Sequence, residues 1–198
     1  MPFEGRVAAL WEGYMRVMML GSITRLGQEF IKQSKLANTK FTIETYEDYT
    51  DRNTDEVRKL ILNTDIILSF RGSSMLSLAH NIQVMSLADS YKKKFLLITS
   101  FGCGDSWDKL SDRAKNIFGD KVKYKTLSEV WLQLSALCWK IVRPVGLSDL
   151  PSGGKTMVTD NKELPHGYIT RECLAKALID IINNENWNDR KVLYVYNN

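Results

Sequence analysis

Short apolar runs alternate with stretches of helical periodicity along almost the whole chain, and this alternation constrains the fold more than any other feature. Met15–Leu20 (MRVMML) is continuously apolar and ends in Gly21, as a strand buried on both faces should. Leu26, Phe30 and Ile31 then share one helical face, and Phe41–Tyr46 (FTIETY) is β-branched and aromatic, hence strand-forming. Asn53 is placed to cap a helix, with Glu56 as its capping-box partner and Val57, Leu60 and Ile61 facing inward. Asp65–Phe70 (DIILSF) and Lys94–Ser100 (KFLLITS) predict two more buried strands, separated by Met75, Leu78, Ala79, Ile82 and Met85 at helical spacing. Leu127, Val130, Trp131, Leu134 and Leu137 predict a further helix, and Trp139–Val142 a strand. A last helix, capped by Thr170, buries Leu174, Ala177, Leu178, Ile181 and Ile182 ahead of a closing strand at Val192–Val195. Strands and helices of these lengths in alternation require βαβ units. The expected fold is therefore α/β, a Rossmann-like doubly wound parallel sheet forming a single domain over residues 15–198.

Composition excludes several function classes. At 198 residues and 44% hydrophobic, the chain can bury one core. Its 27 Lys+Arg against 23 Asp+Glu leave a net charge of only +4, and Lys92–Lys94 is an isolated basic run, so no nucleic-acid partner is expected. No apolar stretch reaches the length of a membrane span. Cys103, Cys138 and Cys173 lie 35 residues apart, which suits neither a disulfide framework nor a metal site. Their pattern points to a reducing, intracellular compartment, cytoplasmic or mitochondrial. Residues 1–14 carry Glu4 and Glu12 and no serine, unlike a transit peptide. They read as an arm lying on the domain or on a protein partner, with a cleaved targeting segment as the alternative; the oligomeric state stays open.

Three segments carry chemistry. In VMMLGSITRLGQEFI, Gly21 and Gly27 are spaced like the outer glycines of a dinucleotide loop: one turns the chain off a strand, the other lets a helix pack closely. The helix N-terminus between them offers free N–H groups to a pyrophosphate. The second and third segments are Leu134–Pro144 (LSALCWKIVRP), leading into Val145-Gly146-Leu147-Ser148-Asp149, and Gly167–Ile182 (GYITRECLAKALIDII). With Lys94–Asp105 (KFLLITSFGCGD), their order and spacing resemble the atypical short-chain dehydrogenase/reductase family, in its small NAD(P)H-binding, flavin- and biliverdin-reductase-like branch. The resemblance covers most of residues 15–197. It implies cofactor binding by Gly21, Ser22, Ile23, Thr24, Arg25, Leu26 and Gly27, by Phe70, Arg71 and Gly72, and by Thr99, Pro144 and Val145. It also implies chemistry at Ser100 and Lys125.

The chain departs from that family in three places. The loop reads GSITRLG where the family reads G-A-T-G-x-x-G, so Thr24 replaces the middle glycine; its Cβ is expected to crowd a ligand and to oppose a positive φ. Only 38 residues separate Gly27 from Asp65, too few for the family's two helices and two strands, so the sheet is expected to be shortened between its first and fourth strands. If Phe41–Tyr46 is the second strand, Glu44 or Glu47 lies at the adenosine ribose and favours NAD over NADP. If it is the third, the adenosine half of the site is missing. Finally, the Tyr-x-x-x-Lys pair of the wider family aligns with Lys121 and Lys125, leaving no tyrosine.

Two readings follow. The chain is a divergent member with weakened or lost catalysis, binding NAD or NADP weakly or not at all and serving as a subunit, or it is an active NAD(P)H-dependent reductase. In the second case substrate is expected between Ser100–Asp105, the loop after Pro144 and residues 151–162. Bland roles compete at several positions: Arg71 as a solvated loop residue, His80 and His166 as surface or core histidines, Cys103 as a small turn residue, Arg143 as a loop anchor.

Overall fold

A computed structural model describes residues 14–47, 54–150, 154–161, 167–184 and 186–198. In chain order the elements are β1 (Met15–Leu20), α1 (Arg25–Leu36), β2 (Phe41–Tyr46), α2 (Thr54–Leu62), β3 (Ile66–Ser69), α3 (Met75–Asp89), β4 (Lys94–Ile98), α4 (Asp112–Gln133), β5 (Cys138–Pro144), β6 (Gly146–Ser148), β7 (Thr156–Thr159), β8 (Tyr168–Thr170), α5 (Arg171–Asn184) and β9 (Lys191–Asn197). Seven strands form one sheet in the order β2-β1-β3-β4-β5-β9-β7, parallel throughout except for the β7–β9 pair. β6 and β8 make a separate two-stranded parallel ladder.

Residue alternation sorts the strands' side chains into two cores. Val17, Met19, Ile66, Leu68, Leu96 and Val142 face α1 and α5, whereas Met18, Leu20, Ile67, Phe95, Leu97 and Ile141 face α2, α3 and α4. Both faces are covered, which is why these strands read as unbroken apolar runs. The Rossmann-like sheet is shortened as the spacing requires. β2 pairs with β1 over six positions, from Met15↔Phe41 to Leu20↔Tyr46, so it is the second strand of the fold. Among the described residues nothing pairs on its outer side. The chain passes from β1 to β2 on one flank and to β3 on the other, which makes the carboxyl ends of β1 and β3 the switch point where such sheets bind ligands.

α4 spans 22 residues and presents an apolar stripe outward: Leu127, Val130, Trp131 and the capping Leu134 are exposed, while Val122, Ser128, Glu129 and Leu132 are buried. Leu137, expected on this helix, lies beyond its end and is buried. Met75 of α3 is also exposed, and the buried face of that helix includes Ser77, His80 and Asn81. Asn53 lies outside the described residues, as do His166 and the arm over residues 1–13. Thr170 does accept the Cys173 amide (3.0 Å) at the start of α5. β6, β7 and β8 have no counterpart in the sequence reading. No helix among the described residues is long and apolar enough to cross a membrane.

The outward stripe gives a first prediction. Leu134→Glu should change the unfolding free energy by no more than about 0.5 kcal/mol, whereas Leu132→Ala, on the opposite face, should cost about 2–5 kcal/mol. Urea titrations of the two variants check the assignment of faces.

Candidate active site at the carboxyl edge of the sheet

The glycine loop is built around close backbone approach. Gly21 follows β1 at φ +86°, a conformation that L side chains rarely adopt. A Cβ on Gly27 would lie 2.3 Å from the Gly21 carbonyl oxygen, so only glycine lets α1 pack there. Thr24 is not strained: it is the N-cap of α1 at φ −69°, contrary to the expectation of a penalised positive φ. Its hydroxyl donates to the Gly21 carbonyl (2.7 Å) and accepts from the Gly27 amide (3.0 Å), which folds the side chain back into the loop. The first-turn amides of Arg25 and Leu26 have no intrahelical acceptor and sit at the positive end of the helix dipole. The loop therefore fits a pyrophosphate in spite of the missing middle glycine.

Of the two candidate acids, only Glu47 reaches this loop. Glu44 is exposed in mid-strand, opposite Met18. The Glu47 carboxylate accepts the Ser22 amide and pairs with the guanidinium of Arg71. Burial pushes its pKa up, but the Ser22 and Arg71 contacts outweigh this and hold it below the usual carboxylate range. Arg71 is not a solvated loop residue. Its side chain is 2% exposed, and Nη1 donates to Nδ1 of the buried His80 (2.8 Å). Beneath it, Ser69 donates to Asn81 (2.8 Å), and Asn81 donates to the Arg71 carbonyl (3.3 Å) and to Ser128 (3.4 Å). A buried polar network thus fixes the Phe70-Arg71-Gly72 turn.

A cavity of about 490 Å³ opens beyond β4 and β5. It brings together Thr99, Ser100, Lys125, Pro144 and Val145, with walls from Phe101, Leu110, Phe118, Leu147 and Tyr168. Lys121 and Lys125, four residues apart on α4, both line it; Tyr124 does not. Lys125 Nζ donates to the Thr99 carbonyl (2.8 Å). Burial lowers its pKa, neighbouring Cys103 and Glu129 oppose that shift, and Lys121 adds to it. Ser100 Oγ stands 3.6 Å from Cys103 Sγ. Cys103 is fully buried, and burial together with Glu129 raises its thiol pKa. Residues 154–161 do not line the cavity; β7, within them, pairs with β9, so their expected place beside substrate is corrected.

One buried pair, not read from the sequence, braces this end of the sheet. Arg143 Nε and Nη2 donate to the two Glu129 oxygens (3.1 and 2.7 Å), and both side chains are at most 3% exposed. Arg143 Nη1 also donates to the Tyr194 hydroxyl (2.9 Å) and to Asp105, and Thr99 Oγ1 donates to Glu129 (2.6 Å). A Cβ on Gly104 would come within 2.5 Å of Arg143 Nη2. Glu129 and Arg143 sit 14 positions apart on a helix and a strand, so no local pattern announces the contact. No cluster of potential metal ligands occurs among the described residues.

Comparison with known proteins agrees with this fold. A family described as NAD(P)H-binding matches residues 32–185. ChuY from Escherichia coli CFT073 is 26% identical over 92% of this chain and 97% of its own, with a TM-score of 0.76. ChuY of Escherichia coli O157:H7, an anaerobillin reductase, is 27% identical over the same shares, with a TM-score of 0.75. A Veillonella parvula short-chain dehydrogenase/reductase in complex with NADP shares the fold at 13% identity and a TM-score of 0.68, covering 92% of this chain and 94% of its own. Comparison with curated protein sequences gives no match.

Removing one partner of the buried pair should be costly. Glu129→Ala is expected to lose about 3–5 kcal/mol of stability by leaving Arg143 Nε and Nη2 buried without their carboxylate, and the double variant Glu129→Leu/Arg143→Met to recover most of it. Denaturant unfolding of the single and double variants reads both numbers.

Proposed function

The chain belongs to the NAD(P)H-binding family, among the atypical short-chain dehydrogenase/reductases, and from that premise we propose that it reduces a largely apolar, acidic small molecule at the expense of NAD(P)H. The observation that carries this reading is the cavity beyond β4 and β5, which Lys125 and Ser100 both line, with Lys125 Nζ held on the Thr99 carbonyl. Bound NAD(P)H supplies the hydride.

The chain's own residues do the rest. The amides of Ile23, Arg25 and Leu26, at the positive end of α1, bind the pyrophosphate. Phe70, Arg71 and Gly72 flank the adenosine, Glu47 accepts from its ribose hydroxyls, and NAD(H) is preferred because that carboxylate repels a 2′-phosphate. Thr99, Pro144 and Val145 form the floor on the nicotinamide side. Ser100 orients the acceptor group of the substrate. Lys125 holds the proton at Nζ and delivers it there; its lowered pKa makes it a better acid than a solvated lysine. Lys121 and Lys109 at the cavity wall pair with a substrate carboxylate, and the apolar side chains exclude water. Anaerobillin, the substrate named for the Escherichia coli relative, is the first compound to try.

A second reading is favoured by the exposed stripe Leu127, Val130, Trp131 and Leu134 on α4 and by lysine at position 121. In it the chain keeps the fold, binds cofactor weakly or not at all, and works as a subunit, with residues 1–14 or α4 docked on a protein partner.

Loss of NADH absorbance with anaerobillin separates the two. A reductase should turn over with an alkaline limb in kcat below 10.5, the ordinary lysine value, because Lys125 must be protonated. Lys125→Met should abolish the limb and lower kcat about 100-fold or more. Absence of turnover, with no heat on titration of either cofactor, would favour the subunit reading.

A further inference from the structure

The shortened sheet ends on β2, and that end is open. β2 runs for six residues in unbroken parallel register with β1, from Met15↔Phe41 to Leu20↔Tyr46, with neither proline nor bulge. The Met15 amide donates to the Lys40 carbonyl, so the even-numbered residues of β2 turn their backbone groups to β1. Phe41, Ile43 and Thr45 turn theirs outward. Among the described residues nothing pairs with that row. Such an edge is a template for another strand. We infer that β2 pairs antiparallel with β2 of a second copy of this chain, about a two-fold axis through Thr42, and joins the two sheets into one.

The edge is complementary to itself in that register. A two-fold axis makes contacts reciprocal, so Phe41 stands opposite the partner's Ile43 and Lys40 opposite the partner's Glu44, each on both sides of the axis. Phe41 and Ile43 carry outward backbone groups, and each such pair exchanges both N–H···O bonds. Thr42 and the Lys40–Glu44 pairs then take the non-hydrogen-bonded positions, where facing side chains come closest. Lys40 and Glu44 are exposed and form no ion pair among the described residues. Only the register centred on Thr42 sets these two charges against each other. Centring on Lys40 or on Glu44 would oppose like charges, which destabilises a strand pair. A charged edge that repels other strands thus fits its own copy. On the α1 face a groove of about 550 Å³ runs beside the edge, lined by Ile31, Phe41 and Ile43. The pairing brings the grooves of the two copies together and covers the half-buried Ile31 and Ile43.

Sedimentation velocity on the full chain tests the pairing, with Lys40→Glu, Glu44→Lys and the charge-swapped double variant Lys40→Glu/Glu44→Lys. Wild type should form a dimer of 22.7 kDa chains in concentration-dependent equilibrium with monomer. Each single variant sets like charges opposite on both sides of the axis and should raise the dimer Kd roughly tenfold or more. The double variant restores opposite charges and should bring the Kd back to within a few-fold of wild type. Both positions are exposed, so the variants keep the fold. Hydrogen exchange at the Phe41 and Ile43 amides should slow with rising concentration in wild type and stay fast in Glu44→Lys. A chain that remains monomeric up to about 1 mM overturns the inference. A dimer indifferent to the charge reversals also overturns it, and its loss in Trp131→Glu would place the contact on α4 instead. Protection of the Phe41 and Ile43 amides that does not change with concentration overturns it too, because the edge is then covered within one chain.

Discussion

The carboxyl edge of this protein depends on how closely α1 can approach the end of β1. With Gly27 lacking a side chain, the helix comes so near that an added Cβ would sit 2.3 Å from the Gly21 carbonyl oxygen. That closeness directs the open end of α1 across the switch point between β1 and β3, where the sheet order reverses. Thr24 closes the loop from within, using one hydroxyl to bond both Gly21 and Gly27. A residue that looks like a defect in a glycine motif thus serves as a helix cap.

Two buried arginines extend this arrangement sideways. Arg71, after β3, faces the glycine loop through Glu47; Arg143, at the end of β5, faces Thr99 through Glu129. Buried ion pairs of this kind gain little net stability against apolar replacements but penalise heavily any state in which one partner is stranded. Their effect here is positional. They hold the ends of β3, β4 and β5, and with them Lys125, in one arrangement around the cavity.

The sequence made the layers legible and left the charges hidden. β1 and β2 end where their apolar and β-branched runs end, and the short stretch after Gly27 exposes the missing strand by arithmetic alone. In α4, periodicity finds a stripe without saying which side it faces. Its inner side is polar at Ser128 and Glu129 because it covers the Arg143 and Asn81 networks, so its apolar residues point out. Glu47 with Arg71, and Glu129 with Arg143, meet only after the chain folds, and their spacing carries no local signal. β6 and β8, at three residues each, are too short to show an alternation.

The most direct measurement of the central claim is a ¹⁵N-resolved NMR titration of the full chain with NADH. A dinucleotide lying across the switch point should shift the amides of Ile23, Arg25 and Leu26 together with those of Gly72, Ser100 and Val145. A titration that leaves these amides unmoved, or that moves only residues remote from the glycine loop and the cavity, would contradict it.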